Sequence, residues 1–255
     1  MNLRLHIIFS LVLTLLAVSA YATHVDLGSA YNFALLAGSA ITNTGSSVIN
    51  GDVGVFPGTS VTGFPPGIVN GTLYSGANAV VGQAQLDLVT AYDQAANATP
   101  TLDISGTDLG YYNVANPLGP GVYKFTSSAL LTGNLTLKGN GDPDAQWIFQ
   151  IGSALTTATD SSVVLIDARM CQVYWQVGSS TATIGTGSLF VGHIMALTSI
   201  SLNGGTLYGQ ALTRNGAVTI SSAQTVNARC IPEPSSIMAL GMMLTSAAVL
   251  FRRKK

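Results

Sequence analysis

The sequence predicts a mainly β chain wound as a solenoid, with three strands to a coil and one long helix alongside. Three observations carry this. A short phrase recurs in the C-terminal half: IGSALTTAT at 151–159, VGSSTATIG at 177–185, LTSISLNGG at 197–205 and LTRNGAVTIS at 212–221. Each phrase alternates small with slightly larger residues, the period of a strand whose side chains point to opposite faces in turn. Recurrence of one strand type suggests coils that bury their apolar faces only against their neighbours. Finally, the chain is rich in glycine (28 of 255 residues), and only 8% of it is charged.

The ends read as addresses. Residues 1–22 form a signal peptide: Arg4 and His6 lead, Ile7–Val18 is apolar, and Ala20-Tyr21-Ala22 fits signal-peptidase cleavage. At the other end Ile231-Pro232-Glu233-Pro234-Ser235 precedes an apolar stretch, 237–251, and the basic run Arg252-Arg253-Lys254-Lys255. That stretch is short for a full span, and its basic tail marks the cytoplasmic side. The three parts, centred on Pro232, Glu233 and Pro234, resemble the PEP-CTERM sorting signal of Gram-negative bacteria. The resemblance implies recognition by an exosortase, transient membrane association, and delivery to the cell surface or extracellular matrix. The expected division is therefore 1–22 signal, 23–230 solenoid domain and 231–255 sorting signal.

Between the ends, Val25–Val69 carries strand-like pieces broken by glycine and proline, and reads as the first coil or coils. In Gly76–Ala98, residues Val80, Val81, Ala84, Leu88, Ala91, Tyr92 and Ala95 recur at helical spacing, and Pro100 stops the run. This helix lacks the basic face of a membrane-surface helix, so its apolar stripe is expected to cover one flank of the solenoid. Residues 100–121 are a loop-rich connection. Strands rich in aromatic and β-branched residues follow at 122–125, 146–151 and 172–177. A third strand per coil is expected at 135–137, 163–166, 189–191, 207–209 and 225–227, giving a triangular cross-section. Later coils look tighter, with starts near Ile194 and Gln210.

Catalytic chemistry is thinly represented. His24 and His193 stand alone. Asp142-Pro143-Asp144 is a turn without the ligand spacing of a calcium loop. Gly51-Asp52-Val53-Gly54 completes neither phosphate-binding pattern, and there is no GxSxG elbow. Scattered charge does not supply the clustered carboxylates of a polysaccharide-cleaving groove. No cofactor, metal or enzymatic activity is expected. A net charge of -1 argues against nucleic acid as a partner. The two cysteines, Cys171 and Cys230, lack metal-ligand spacing and are expected to pair in an exported chain. Such a bridge would close a loop of about 60 residues, worth roughly 4 kcal/mol in the chain-entropy model.

What remains is a flat face. With Leu155, Ile184, Leu202 and Ile220 inward, one outward column is Thr156, Thr183, Ser201 and Thr219. Its flanks are Ala154, Thr181, Ser199 and Ala217 on one side, and Ala158, Gly185, Asn203 and Ser221 on the other. At about 4.8 Å between coils, this makes a regular array of hydroxyls and methyls, stiffened by the χ1 preference of threonine. Thr136 is expected on a strand of another face.

Residues 25–230 resemble the bacterial and fungal ice-binding (antifreeze) family. The phrases that carry this are Asp26-Leu27-Gly28-Ser29-Ala30 with Asn32-Phe33-Ala34-Leu35-Leu36-Ala37, Ile49-Asn50-Gly51-Asp52-Val53-Gly54-Val55, Gly119-Pro120-Gly121-Val122-Tyr123, Trp147-Ile148-Phe149-Gln150-Ile151, Trp175-Gln176-Val177, Gly192-His193-Ile194-Met195-Ala196 and Gly209-Gln210-Ala211-Leu212. The resemblance implies a right-handed, three-faced, discontinuous β-solenoid whose coil order is not its sequence order, with a long helix alongside. It also implies that one flat face adsorbs to ice, often through Thr-Ala/Gly-x-Thr/Asn repeats. Here Gly216-Ala217-Val218-Thr219 opens with glycine, and Thr181-Ala182-Thr183-Ile184 ends in isoleucine. The ice contacts are thus expected at Thr156, Thr181, Thr183, Ser199, Ser201, Ala217, Thr219 and Ser221. The other reading is a structural or adhesive matrix protein of the same fold that does not touch ice.

Overall fold

The computed structural model describes residues 24–142 and 144–228, so both terminal addresses, Cys230 and Pro143 lie outside the described residues. Every strand pairing given below is parallel, and the strands form three long faces. The open face stacks Ala129–Leu131, Leu155–Thr157, Ala182–Ile184, Ile200–Leu202, Val218–Ile220, Ala40–Asn43 and Ser60–Thr62, in that order. The coil order is therefore not the chain order. The N-terminal strands continue the stack beyond the C-terminal ones, as the family resemblance implied.

A second face stacks Gly121–Phe125, Trp147–Ile151, Val173–Val177, the later parts of Ser188–Ala196 and Gly205–Thr213, then Phe33–Ala37, Asp52–Val55 and Leu73–Ser75. The third face holds Asn134–Lys138, Ser162–Ile166, the earlier parts of the same two long strands, then Gln224–Asn227, Val48–Asn50 and Ile68–Val69. Sequence spacing suggested separate short strands with starts near Ile194 and Gln210. Instead Ser188–Ala196 and Gly205–Thr213 each run unbroken from the third face onto the second. Gly192 (φ 113°) and Gly209 (φ 148°) turn that corner, in a backbone region that only glycine enters readily. A Cβ on Gly209 would collide with the Gly192 carbonyl.

Burial separates the faces. Phe33–Ala37, Trp147–Ile151 and Val173–Val177 are buried at every position, whereas Ala182–Ile184, Ile200–Leu202 and Val218–Ile220 alternate buried and part-exposed. Continuous burial means a strand covered on both sides. Inside the solenoid, Tyr123, Phe149 and Trp175 stack on successive coils, with ring centroids 5.6 and 4.0 Å apart. Outside it, Ile148, Tyr174, Met195, Leu212 and Leu36 pack against Val81, Ala84, Leu88, Ala91, Tyr92 and Ala95 of the helix.

The helix runs Ala79–Asn97, slightly inside the expected bounds, with the Asn78 side chain capping the Val80 amide. Its expected stripe is buried except at Val80, which is 49% exposed. Glutamines rising from the solenoid hold it. Gln150 Nε2 reaches the Ala95, Ala96 and Ala98 carbonyls at 2.8, 3.2 and 2.7 Å, groups that a helix C-terminus leaves unpaired. Gln176 donates to Tyr92 Oη at 2.7 Å, and Tyr92 donates to the Val177 carbonyl. Gln210 binds the carbonyls of Ala30, Tyr31 and Phe33, around the 3-10 turn Gly28–Asn32.

The 100–121 connection closes one end of the stack. Ile104, Leu109 and Leu118 enter the core, and the segment pairs with Asn134–Lys138 through Thr136 N to Tyr112 O and Leu118 N to Thr136 O. Thr136 lies on another face, as expected, but this contact buries it, at 2% exposed.

Candidate functional site

The open face is built by alternation. Leu155, Ala182, Ile184, Ile200, Leu202, Val218 and Ile220 point into the core, which sends the residue between each pair outward. Register pairs Thr156 with Thr183, Thr183 with Ser201 and Ser201 with Thr219 on adjacent strands, the expected column. The fourth residue of Thr181-Ala182-Thr183-Ile184 faces the core, so its departure from the repeat does not reach the surface.

The column is longer than its sequence signal. Thr219 pairs with Thr42, and Thr42 with Thr62, while Thr156 pairs with Leu130 at the other end. Seven successive coils thus place Leu130, Thr156, Thr183, Ser201, Thr219, Thr42 and Thr62 in one row. Six intervals of ~4.8 Å give a row ~29 Å long. Reading the C-terminal half alone missed Thr42 and Thr62, because nothing local says that Ala40–Asn43 follows Val218–Ile220.

Hydrogen bonding divides the row from its flanks. Among the described residues, the hydroxyls of Thr156, Thr183, Ser201, Thr219, Thr42 and Thr62 make no hydrogen bond to protein. Most flanking hydroxyls are engaged, that of Thr181 excepted. Ser199 Oγ accepts from the Ala217 amide at 3.2 Å, and Ser221 Oγ donates to Asn203 Oδ1 at 3.0 Å. Thr198 and Thr186 likewise donate to the carbonyls of Ser180 and Asn203. Of the other expected flank positions, Thr181 and Ala217 are part-exposed beside the row. The seven strands carry no charged residue. The face therefore offers one straight row of unengaged hydroxyls, each threonine adding a methyl, on a rigid sheet.

Nothing else among the described residues offers comparable chemistry. No group of three or more His, Cys, Asp or Glu side chains could hold a metal ion, and no helix is long and apolar enough to cross a membrane. A cavity of about 550 Å³ is a groove at the helix C-terminus beside Gln150 and Lys124. His24 is exposed. His193 is fully buried beside Tyr174, at 5.3 Å between ring centroids. Burial lowers its pKa to about 4, opposed by the Gln210 side chain and the Cys171 backbone.

Residues 35–226 match the model of the ice-binding-like family. The chain belongs to that family. It is 46% identical to the ice-binding protein of Nostoc sp. (strain HG1) over 263 residues, covering 96% of each chain. It is 34% identical to the ice-binding protein of Leucosporidium sp. (strain AY30), covering 84% of this chain and 87% of that one. Among solved structures, an ice-binding protein from an Antarctic biological consortium superposes with TM-score 0.73 at 46% identity, covering 80% and 90%. That of the Antarctic ascomycete Antarctomyces psychrotrophicus gives TM-score 0.73 at 37% identity, covering 80% and 98%. The family membership agrees with the solenoid, its reordered coils and the flanking helix.

Proposed function

We propose that this family member binds ice through the open face, at the row Leu130, Thr156, Thr183, Ser201, Thr219, Thr42 and Thr62, with Thr181, Ser199, Ala217 and Ser221 as its margins. The single observation that carries this is the row of unengaged hydroxyls on six successive registered coils, ended by Leu130 on a seventh. Water held over such a row sits at fixed intervals set by the backbone, and stiff threonines lose little entropy in holding it. Adsorbed molecules pin the ice surface. The front must bulge between them, and that curvature slows or reshapes growth. The reading is of an adsorbing surface with no enzymatic step.

The same reading takes residues 1–22 as a removed signal, 23–230 as the mature domain and 231–255 as an exosortase-processed tail. It places the protein outside a Gram-negative cell, secreted or on the surface. Cys171 pairing with Cys230 fits this. No free thiol stands among the described residues, and the turn Met170–Gln172 packs over the two long strands. Ala228, two residues before Cys230, sits beside Gly51 at the same corner. Titration of denatured, unreduced protein should find no reactive thiol; two thiols would remove the bridge.

Ice grown slowly in purified protein should form faceted crystals and resist recrystallisation. Round crystals that coarsen as in buffer would end the ice reading and leave a matrix protein of the same fold.

A further inference from the structure

We propose that this chain holds its cell to ice, attached through the C-terminal end of the domain after Ala228 and with its open face as the outward contact; this rests on the ice reading above. The argument is where the chain leaves the solenoid. A triangular coil has three edges, and two of them border the open face. The third lies between the helix-covered face and the third face, directly opposite the open face.

Both described termini lie on that opposite edge. Gln224–Asn227 is the last strand of the third face, and Ala228 follows it with its amide on the Asn50 carbonyl at 3.2 Å. A Cβ on Gly51, at that corner, would stand 3.1 Å from the Ala228 methyl. At the N-terminal end, His24 lines a small hollow with Asp144, Gln146 and Gln172, which join the third face to the helix-covered one. Asp26 N is bound to Gln94 of the helix at 2.8 Å.

A freely diffusing growth inhibitor places no demand on where its ends emerge. A tethered one does. An attachment leaving from either edge that borders the open face would shade part of the row from an ice surface. The segment after Ala228 continues into Ile231-Pro232-Glu233-Pro234-Ser235, an apolar stretch and a basic run, the three parts that resemble a cell-surface sorting signal. Anchored by that end, every molecule on a cell presents its hydroxyl row away from the cell. Many copies then engage one crystal together, and avidity replaces single-molecule affinity.

The test uses the full chain, expressed in a bacterium that carries the sorting machinery, with surface display measured by antibody. An ice front is grown slowly through the suspension, and cells retained on it are counted. Cells displaying the parent should be retained about tenfold more than cells displaying Thr183→Tyr at equal density. Thr206→Tyr, on the third face, should retain like the parent. Equal retention with Thr183→Tyr, or release of the intact domain into the medium, would overturn the tether. If purified parent shapes ice but displaying cells are not retained, adhesion fails and ice binding stands. If the purified parent does not shape ice, both fall together.

Discussion

Thr183 occupies the middle of the hydroxyl row, between Thr156 and Ser201 on the neighbouring coils. Ice contact needs the row flat over several coils at once, so one bulky side chain there acts out of proportion to its size. Thr183→Tyr should cut thermal hysteresis several-fold and leave stability within about 0.5 kcal/mol, as for most surface substitutions. Thr206→Tyr should leave both near the parent. Thr136 cannot serve as that control, because the 109–118 segment buries it. Alternation made Thr156, Thr183, Ser201 and Thr219 legible in the sequence. Which hydroxyls are engaged was not, since Ser199 and Thr183 look alike until their neighbours are placed. A separate consequence attaches to His193. Its folded pKa, about 4, lies below the ordinary value of 6.5. The fold therefore favours the neutral ring. That contribution is complete above about pH 6.5 and is lost as pH falls toward 4, by on the order of 3 kcal/mol. Unfolding free energies measured from pH 7.5 to 4 should fall more steeply for the parent than for His193→Gln. Parallel curves would show that the ring does not couple to folding.

The helix was legible from its spacing and from Pro100, because an amphipathic period survives without tertiary context. How it is held was not. Gln150 lies in a run of strand residues, and only the fold brings it to the helix C-terminus. Gln150→Ala leaves those carbonyls without a partner and should destabilise by about 1–3 kcal/mol. Amide exchange should rise first near residues 95–98. Uniform protection there would mean that the glutamine does not hold the helix. The long strands were misread as pairs of short ones for a related reason. Gly192 and Gly209 look like breaks in sequence, yet their positive φ lets one strand turn a corner without stopping. Gly209→Ala meets both the strained φ and the Gly192 carbonyl, and should cost well over 2 kcal/mol or abolish folding. A soluble variant with parental melting temperature would contradict that account of the corner.

Across the whole molecule, the repeated coils and the triangular section followed from recurrence, because each coil repeats a local pattern. The stacking order did not. Ala40–Asn43 joins Val218–Ile220 across the sequence, and no local signal encodes such a pairing; the family resemblance supplied it. That junction adds Thr42 and Thr62 and makes the row about half as long again, so the site depends on the discontinuity of the fold. It also sets both described termini on the edge away from the row. The central claim is that this row adsorbs to ice. The most direct measurement freezes a dilute solution of fluorescently labelled protein slowly from a cold finger and compares label in the ice with label in the liquid. The parent should concentrate in the ice, while Thr183→Tyr stays in the liquid like an inert protein. Exclusion of the parent from the ice, or equal uptake of both, would contradict the account.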